Sequence, residues 1–144
     1  MSNLDLARKA LHAFSAGDEA TTLSLMGDGY EFLGVTPQPL GKEEFLGFMH
    51  AIHAAFPDFK FNETSASESG DTVTIKHHIT GTHHGPLNVP GMPSIPATGK
   101  SISLPEETSV FTFKGGKIAN YTAHPAPDGG LPGMLKQLGV QMPH

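Results

Sequence analysis

The dominant hydrophobic period of this chain changes close to Pro57, and that change limits the folds open to it. Before it, apolar residues recur at three- and four-residue steps: Leu4, Ala7, Leu11 and Phe14, then Phe45, Phe48 or Met49, Ile52 and Phe56. Such steps put one apolar stripe on an α-helix. After it, Phe59 to Ser67, Thr72 to His83, Ser101 to Phe113 and Lys117 to Ala123 alternate or are rich in β-branched residues, with Gly, Pro or Asp between them. Alternation is the mark of strands with one buried face.

The spacing predicts a first helix over Leu4 to Ala16, capped by Ser2 or Asn3 and stopped by Gly17, and a shorter one opened by Asp18 and running to Met26. Gly27-Asp28-Gly29 reads as a turn into the strand-like Tyr30-Glu31-Phe32-Leu33, and Pro37 and Pro39 as a loop. A third helix is expected over Lys42 to Ala55, ended by Pro57, and one or two helical turns over Met134 to Leu138. Gly85 to Gly99 holds four prolines, which cannot donate to a ladder, so it reads as a long connection. Its Leu87, Val89, Met92 and Ile95 are expected to pack at a subunit interface or over a pocket mouth. Helices followed by antiparallel strands are the α+β pattern, here a curved sheet with helices on its concave face, in one domain over residues 1 to 144. A curled sheet under helices encloses a cone.

Composition narrows the chemistry. With no cysteine, thiolate metal sites, iron–sulfur clusters and a cysteine nucleophile are excluded. The net charge is −5 and Arg8 is the sole arginine, so the guanidinium forks that suit nucleic acid and phosphate are nearly missing. Neither nucleic acid nor a membrane is an expected partner; a small apolar molecule is. No apolar run reaches the roughly 20 residues of a membrane span, and the N-terminus lacks the order of a signal peptide, so a cytoplasmic location is expected. No nucleophile elbow, phosphate loop or dinucleotide fingerprint occurs, and no cofactor is expected.

Five short motifs occur in order: Ala55-Phe56-Pro57-Asp58-Phe59, Gly81-Thr82-His83-His84-Gly85, Pro96-Ala97-Thr98-Gly99-Lys100, Gly116-Lys117-Ile118 and Leu135-Lys136-Gln137-Leu138-Gly139. In this set the chain resembles SnoaL-like proteins, the polyketide ester cyclases and their relatives within the nuclear-transport-factor-2-like superfamily. The resemblance runs over roughly residues 4 to 140 and implies the cone-shaped α+β barrel, commonly a homodimer. It also implies an acid seven residues beyond the glycine of the Gly-Lys-Ile turn and a histidine seven residues before it. Those places hold Ala123 and Ser109, so neither residue carries over.

With Ser109 and Ala123 facing the cavity, alternation puts Glu107, Phe111 and Phe113 on their side of one strand and Ala119 and Tyr121 on that side of the next. Glu107 and Tyr121 then stand near the lost pair. A carboxylate desolvated by aromatic walls serves as a general base near neutral pH, and a phenol stabilises an enolate oxygen. The competing reading is that Glu106-Glu107 is a solvated edge, with a bulge at Pro105 shifting the alternation. His124 would fill the missing acid's volume if the strand bends at Pro125. Asp128 reads as a turn former.

Nine histidines raise the question of a metal. His77 and His83 lie six residues apart, about 20 Å along a strand and too far for one ion. They would need His50 or His53 from the third helix; otherwise they are hydrogen-bonded lining or interface residues, with His83 a further candidate acid or base. Phe14, Tyr30, Phe48, Met49, Phe56 and Met92 read as cavity walls or plain core. The expected function is cofactor-independent acid/base chemistry on an apolar carbonyl compound, with Glu107, Tyr121, His124 and His83 as catalytic candidates. Phe14, Tyr30, Phe48, Ser109, Phe111 and Ala123 are the candidate ligand-binding residues. The alternative is a binder of an apolar ligand without catalysis, since both members of the family pair are replaced; a weaker one is a protein-contact scaffold.

Overall fold

A computed structural model describes residues 2–34, 38–89 and 94–139. Helix α1 (Asn3–Ala16) starts at Ser2, whose hydroxyl accepts from the Asp5 amide while the Asp5 carboxylate accepts from the Ser2 amide, and it ends at Gly17 in the left-handed region. Asp18 caps α2 (Glu19–Leu25) in the same way, through the Thr21 amide. Strand β1 (Met26–Leu33) follows without an intervening turn, and α3 (Lys42–Ala55) runs as its period demands and closes before Pro57. Then come β2 (Glu63–Ser69), β3 (Thr72–His77), β4 (Thr80–Thr82), β5 (Ser101–Ser103), β6 (Glu107–Lys114), β7 (Lys117–His124) and α4 (Gly130–Gln137).

Five strands form one sheet in the order β1-β7-β6-β3-β2, and β4 pairs with β5 in a second. The neighbours are antiparallel except β1 and β7, which run parallel. Helix α1 lies against β2 and β3, and α3 against β1. The alternating face of β6, with Glu107, Ser109, Phe111 and Phe113 all buried, meets Phe14, Phe45 and Ile52 from the helices in one continuous apolar core.

Several boundaries differ from the expectation, for local reasons. Gly27-Asp28-Gly29 belongs to β1, where the register slips between Met26 and Glu31 and the glycines tolerate the bulge. The run from Thr72 to His83 breaks at His78 and Ile79. There Asn62, at a φ of 54°, donates its amide to the His78 carbonyl and the Thr80 hydroxyl. The run from Ser101 to Phe113 breaks at Leu104, Pro105 and Glu106, since Pro105 has no amide hydrogen for a ladder. The break precedes Glu107 and leaves the β6 alternation intact. A second slip between Thr112 and Phe113 puts Ile118, instead of Ala119, beside Tyr121 on the buried face of β7. In the described part of the segment after Gly85, Leu87 and Ile95 bridge to each other, and both are buried with Val89 in the chain's own core. Met92 and Pro37 lie outside the described residues.

Candidate functional site

Three strands place the polar centre. The ladder pairs His77 of β3 with Glu107 of β6, Ser109 of β6 with Ala123 of β7, and Phe111 of β6 with Tyr121 of β7. All six side chains point into the core, and none is more than 6% exposed. Diagonal neighbours on one face of a sheet are within reach of long side chains. The His77 imidazole spans one diagonal, its Nε2 standing 2.6 Å from the Ser109 hydroxyl. Ser109 crosses the next and donates to the Tyr121 hydroxyl at 3.2 Å. Across from Ser109, Ala123 is small, and the space beyond its methyl group is open.

That space is a cavity of about 60 Å³. It has room for a few water molecules. Its walls are Phe32 from β1, Phe48, Met49 and Ile52 from α3, Phe59, Phe61, Ile79 and Leu104 from the connecting segments, and Gly130 and Met134 from α4. Ala123 forms part of the floor, and Glu107 and Tyr121 contribute the polar side chains among the described lining residues.

Burial without a compensating cation disfavours the charged carboxylate, and it pushes Glu107 up from 4.5 to about 7. It pulls His77 down from 6.5 to about 4, with the neighbouring His78 acting in the same direction and Glu106 opposing it. The Nδ1 of His77 lies 3.8 Å from a Glu107 carboxylate oxygen. Between pH 4 and pH 7 both groups are neutral, so this approach is not an ion pair. The Nδ1 itself is buried without a hydrogen-bond partner. Tyr121 is raised above its ordinary value, by burial first and by Glu107 in smaller measure, so its phenol keeps its proton.

Tyr121 is held by its neighbours. Its ring stacks on Phe111 at 4.5 Å and on Phe14 at 5.8 Å, and meets Phe32 edge-on at 4.9 Å. Phe14 and Phe111, expected on the ligand, therefore brace the tyrosine and do not line the cavity. Ser109 sits behind the wall as the link between His77 and Tyr121. Tyr30 packs against Phe45 in the core with its hydroxyl unpaired, and burial raises it well above the ordinary phenol range. Of the expected ligand-binding residues, Phe48 and Ala123 line the cavity.

Two expected acid/base candidates lie elsewhere. His124 follows Ala123 on a strand that continues through it, so alternation turns its side chain to solvent and not into the cavity. His83 is fully buried but bonded away from the site. Its Nδ1 accepts from the Thr98 amide at 3.2 Å and lies 2.9 Å from the Thr98 hydroxyl, and its ring stacks on Phe56 at 5.3 Å. His83 ties down the turn at residues 98 to 100. His50 and His53 line a different hollow with Ala13, Gly17 and Glu19, between α1, α2 and α3. Among the described residues no three His, Asp or Glu side chains are grouped to hold a metal ion.

His77 is the member of the cluster whose place the sequence does not mark beyond a lining or interface histidine. The signal would have been the pairing of β3 with β6, which sets His77 opposite Glu107. About 30 residues and two short strands separate these partners, and nothing local records the register.

Known proteins share this framework. A candidate SnoaL-like polyketide cyclase from Jannaschia sp. CCS1 superposes with a TM-score of 0.79 at 17% identity, covering 97% of this chain and 93% of that one. IdmH from Streptomyces antibioticus, also a candidate polyketide cyclase, gives 0.75 at 23% identity over 97% and 100%. A protein of ketosteroid isomerase-like fold from Catenulispora acidiphila, solved with trimethylamine, gives 0.70 at 15% identity over 94% and 93%. At these identities the likeness is one of fold. No curated protein matches the chain in sequence. The family model of the SnoaL-like domain matches residues 7–121, most of the chain. By that match, on the curved sheet and helices described above, the chain belongs to the SnoaL-like domain family.

Proposed function

We propose that the cavity receives an apolar, enolisable carbonyl compound and that Glu107 removes its α-proton without a cofactor, while the Tyr121 hydroxyl donates to the carbonyl oxygen as it gains negative charge. One observation carries this reading: a single carboxyl group, 6% exposed and pushed up to about 7, stands in a wall of otherwise apolar side chains beside a phenol. A base whose value lies near the working pH is present in its active form and still binds the abstracted proton well. Substrate entry requires the cavity to widen, since sites that enclose drug-sized ligands run from about 300 Å³ upward. As part of the same proposal the chain acts as a soluble homodimer of single-domain subunits in the cytoplasm. The outer face of the sheet, with Thr108, Val110, Thr112 and Thr122 half-buried in the isolated chain, supports that pairing.

The test is α-proton exchange of small cyclic ketones, such as 2-tetralone, followed by NMR in deuterated water. The expected result is protein-dependent exchange that Glu107→Gln lowers by a factor of about 100 or more, the usual worth of a positioned base. Exchange that survives Glu107→Gln in full would remove Glu107 from the chemistry. Saturable binding of the ketone without exchange would favour the ligand-binding alternative.

A further inference from the structure

The cluster lines up the proposed base and the proposed oxygen donor with one gap between them, the 3.8 Å from Glu107 to His77. We propose that His77 and Ser109 form a proton relay between the Glu107 carboxyl and the Tyr121 hydroxyl, which makes the site suited to a 1,3-proton shift in a ketone. This rests on the enolisation reading above.

The geometry supplies each link but one in contact. Nε2 of His77 and the Ser109 hydroxyl are 2.6 Å apart, the Ser109 and Tyr121 hydroxyls 3.2 Å, and Nδ1 of His77 and Glu107 3.8 Å. The relay requires that last gap to close, by a rotation of either side chain or by one water. Since Ser109 donates to Tyr121, it accepts from Nε2–H, and the bare Nδ1 faces Glu107. The phenol's own proton is then left for a ligand.

Protons balance along this path. The Cα–H bond of the ketone breaks and Glu107 takes the proton, while Tyr121 gives its proton to the carbonyl oxygen. Ser109 replaces the tyrosine proton, Nε2–H of His77 replaces that of serine, and Glu107 passes its new proton to Nδ1. The result is an enol, a Glu107 carboxylate and a neutral His77 in its other tautomer. When the enol returns to a ketone, the chain runs backward: the enol proton enters at Tyr121, and Glu107 delivers one from Nδ1 to the same α-carbon or, where the ketone is β,γ-unsaturated and the enol a dienol, to its γ-carbon. A full isomerisation therefore resets the relay, whereas a single enolisation leaves His77 flipped.

Both tautomers must be accessible, and the state of Glu107 sets their balance. A protonated Glu107 favours Nε2–H with bare Nδ1; a carboxylate favours Nδ1–H, so enolisation starts from the minor tautomer of the ionised site and the flip of His77 carries it to the favoured one. The other titratable groups interacting with His77 and Tyr121 are His78, Glu106, Glu107 and, on β1, Tyr30. Those that α3 and α4 turn toward the cavity, among the described residues, are none.

The experiment is ¹⁵N NMR of the His77 ring together with ¹³C NMR of the Tyr121 ring in the intact protein from pH 5 to pH 9. The expected result is that His77 stays neutral and changes tautomer with the midpoint of Glu107, and that Tyr121 moves at the same midpoint. In Ser109→Ala the Tyr121 response falls to the smaller through-space effect of Glu107 while that of His77 remains. A His77 ring that keeps one tautomer throughout, or a Tyr121 response undiminished in Ser109→Ala, would overturn the relay. If that variant does not fold, the wild-type tautomer decides alone. The measurement needs no turnover, so it can fail while Glu107→Gln still abolishes exchange, and the reverse.

Discussion

A carboxyl group among phenyl rings costs free energy when it ionises, and the cost is readable as stability. Because Glu107 stands at about 7 in the folded chain against 4.5 for an ordinary glutamate, the folded protein holds that proton more tightly than the unfolded one. Stability from this group is therefore full below pH 4.5 and is lost as pH rises toward 7. His77, pulled down from 6.5 to about 4, has the opposite sign: its contribution is lost as pH falls through that interval. Glu107→Gln removes the first effect only. Relative to wild type, the variant should gain up to about 3 kcal/mol between pH 4.5 and pH 8 in urea unfolding. Equal unfolding curves at both ends would mean that Glu107 is solvated. Gly34 tests the backbone next to the site, at a φ of 98° with an added Cβ only 1.9 Å from the Ala123 carbonyl oxygen. Gly34→Ala should cost about 3 kcal/mol. An unchanged melting temperature would contradict the close approach of the two segments. At this scale the period of two gave away the buried face of β6, but not the diagonal reach of His77, because side-chain contacts across a ladder depend on a register set by distant segments.

The elements that close the cavity are held by few bonds. Helix α4 brings Gly130 and Met134 to the wall, and its Gln137 side chain docks on β5 as a strand would, donating to the Ser103 carbonyl and accepting from its amide, both at 2.8 Å. Gln137→Ala should cost about 1 kcal/mol. Its clearer mark should be faster hydrogen exchange along α4 than along α1, since the loss is local. Uniform exchange in both helices would show that α4 is fastened elsewhere. Helices α1 and α3 were legible to within a residue because their caps and stops, Ser2, Gly17 and Pro57, are local signals. Strands were legible as stretches but not as units. The break at Pro105 follows from a residue with no amide hydrogen, whereas the break at His78, made by Asn62, and the bulge at Ala119 show only once the segments are paired.

For the molecule as a whole, the order of periods along the chain was enough to give the α+β cone, and the motif set its family, because both are spread over nearly the full length. The site was less legible: the residues at the two inherited positions, Ser109 and Ala123, carry no acid or base, and their replacements come from a strand pairing that no short motif encodes. The proposed dimer belongs to this scale. Sedimentation equilibrium should return twice the subunit mass of 15.2 kDa, and Val110→Lys on the outer sheet face should shift it toward one. A wild-type monomer at micromolar concentration would contradict that pairing.

The account turns on Glu107 being a desolvated carboxyl group in an apolar cavity. The direct measurement is a ¹³C NMR titration of the glutamate side chains, with Glu107 assigned by its disappearance in Glu107→Gln. The account predicts a midpoint close to 7 for Glu107. A midpoint near 4.5, that of an ordinary glutamate, would mean water reaches the carboxylate and that the cavity holds no base fit for enolisation at neutral pH.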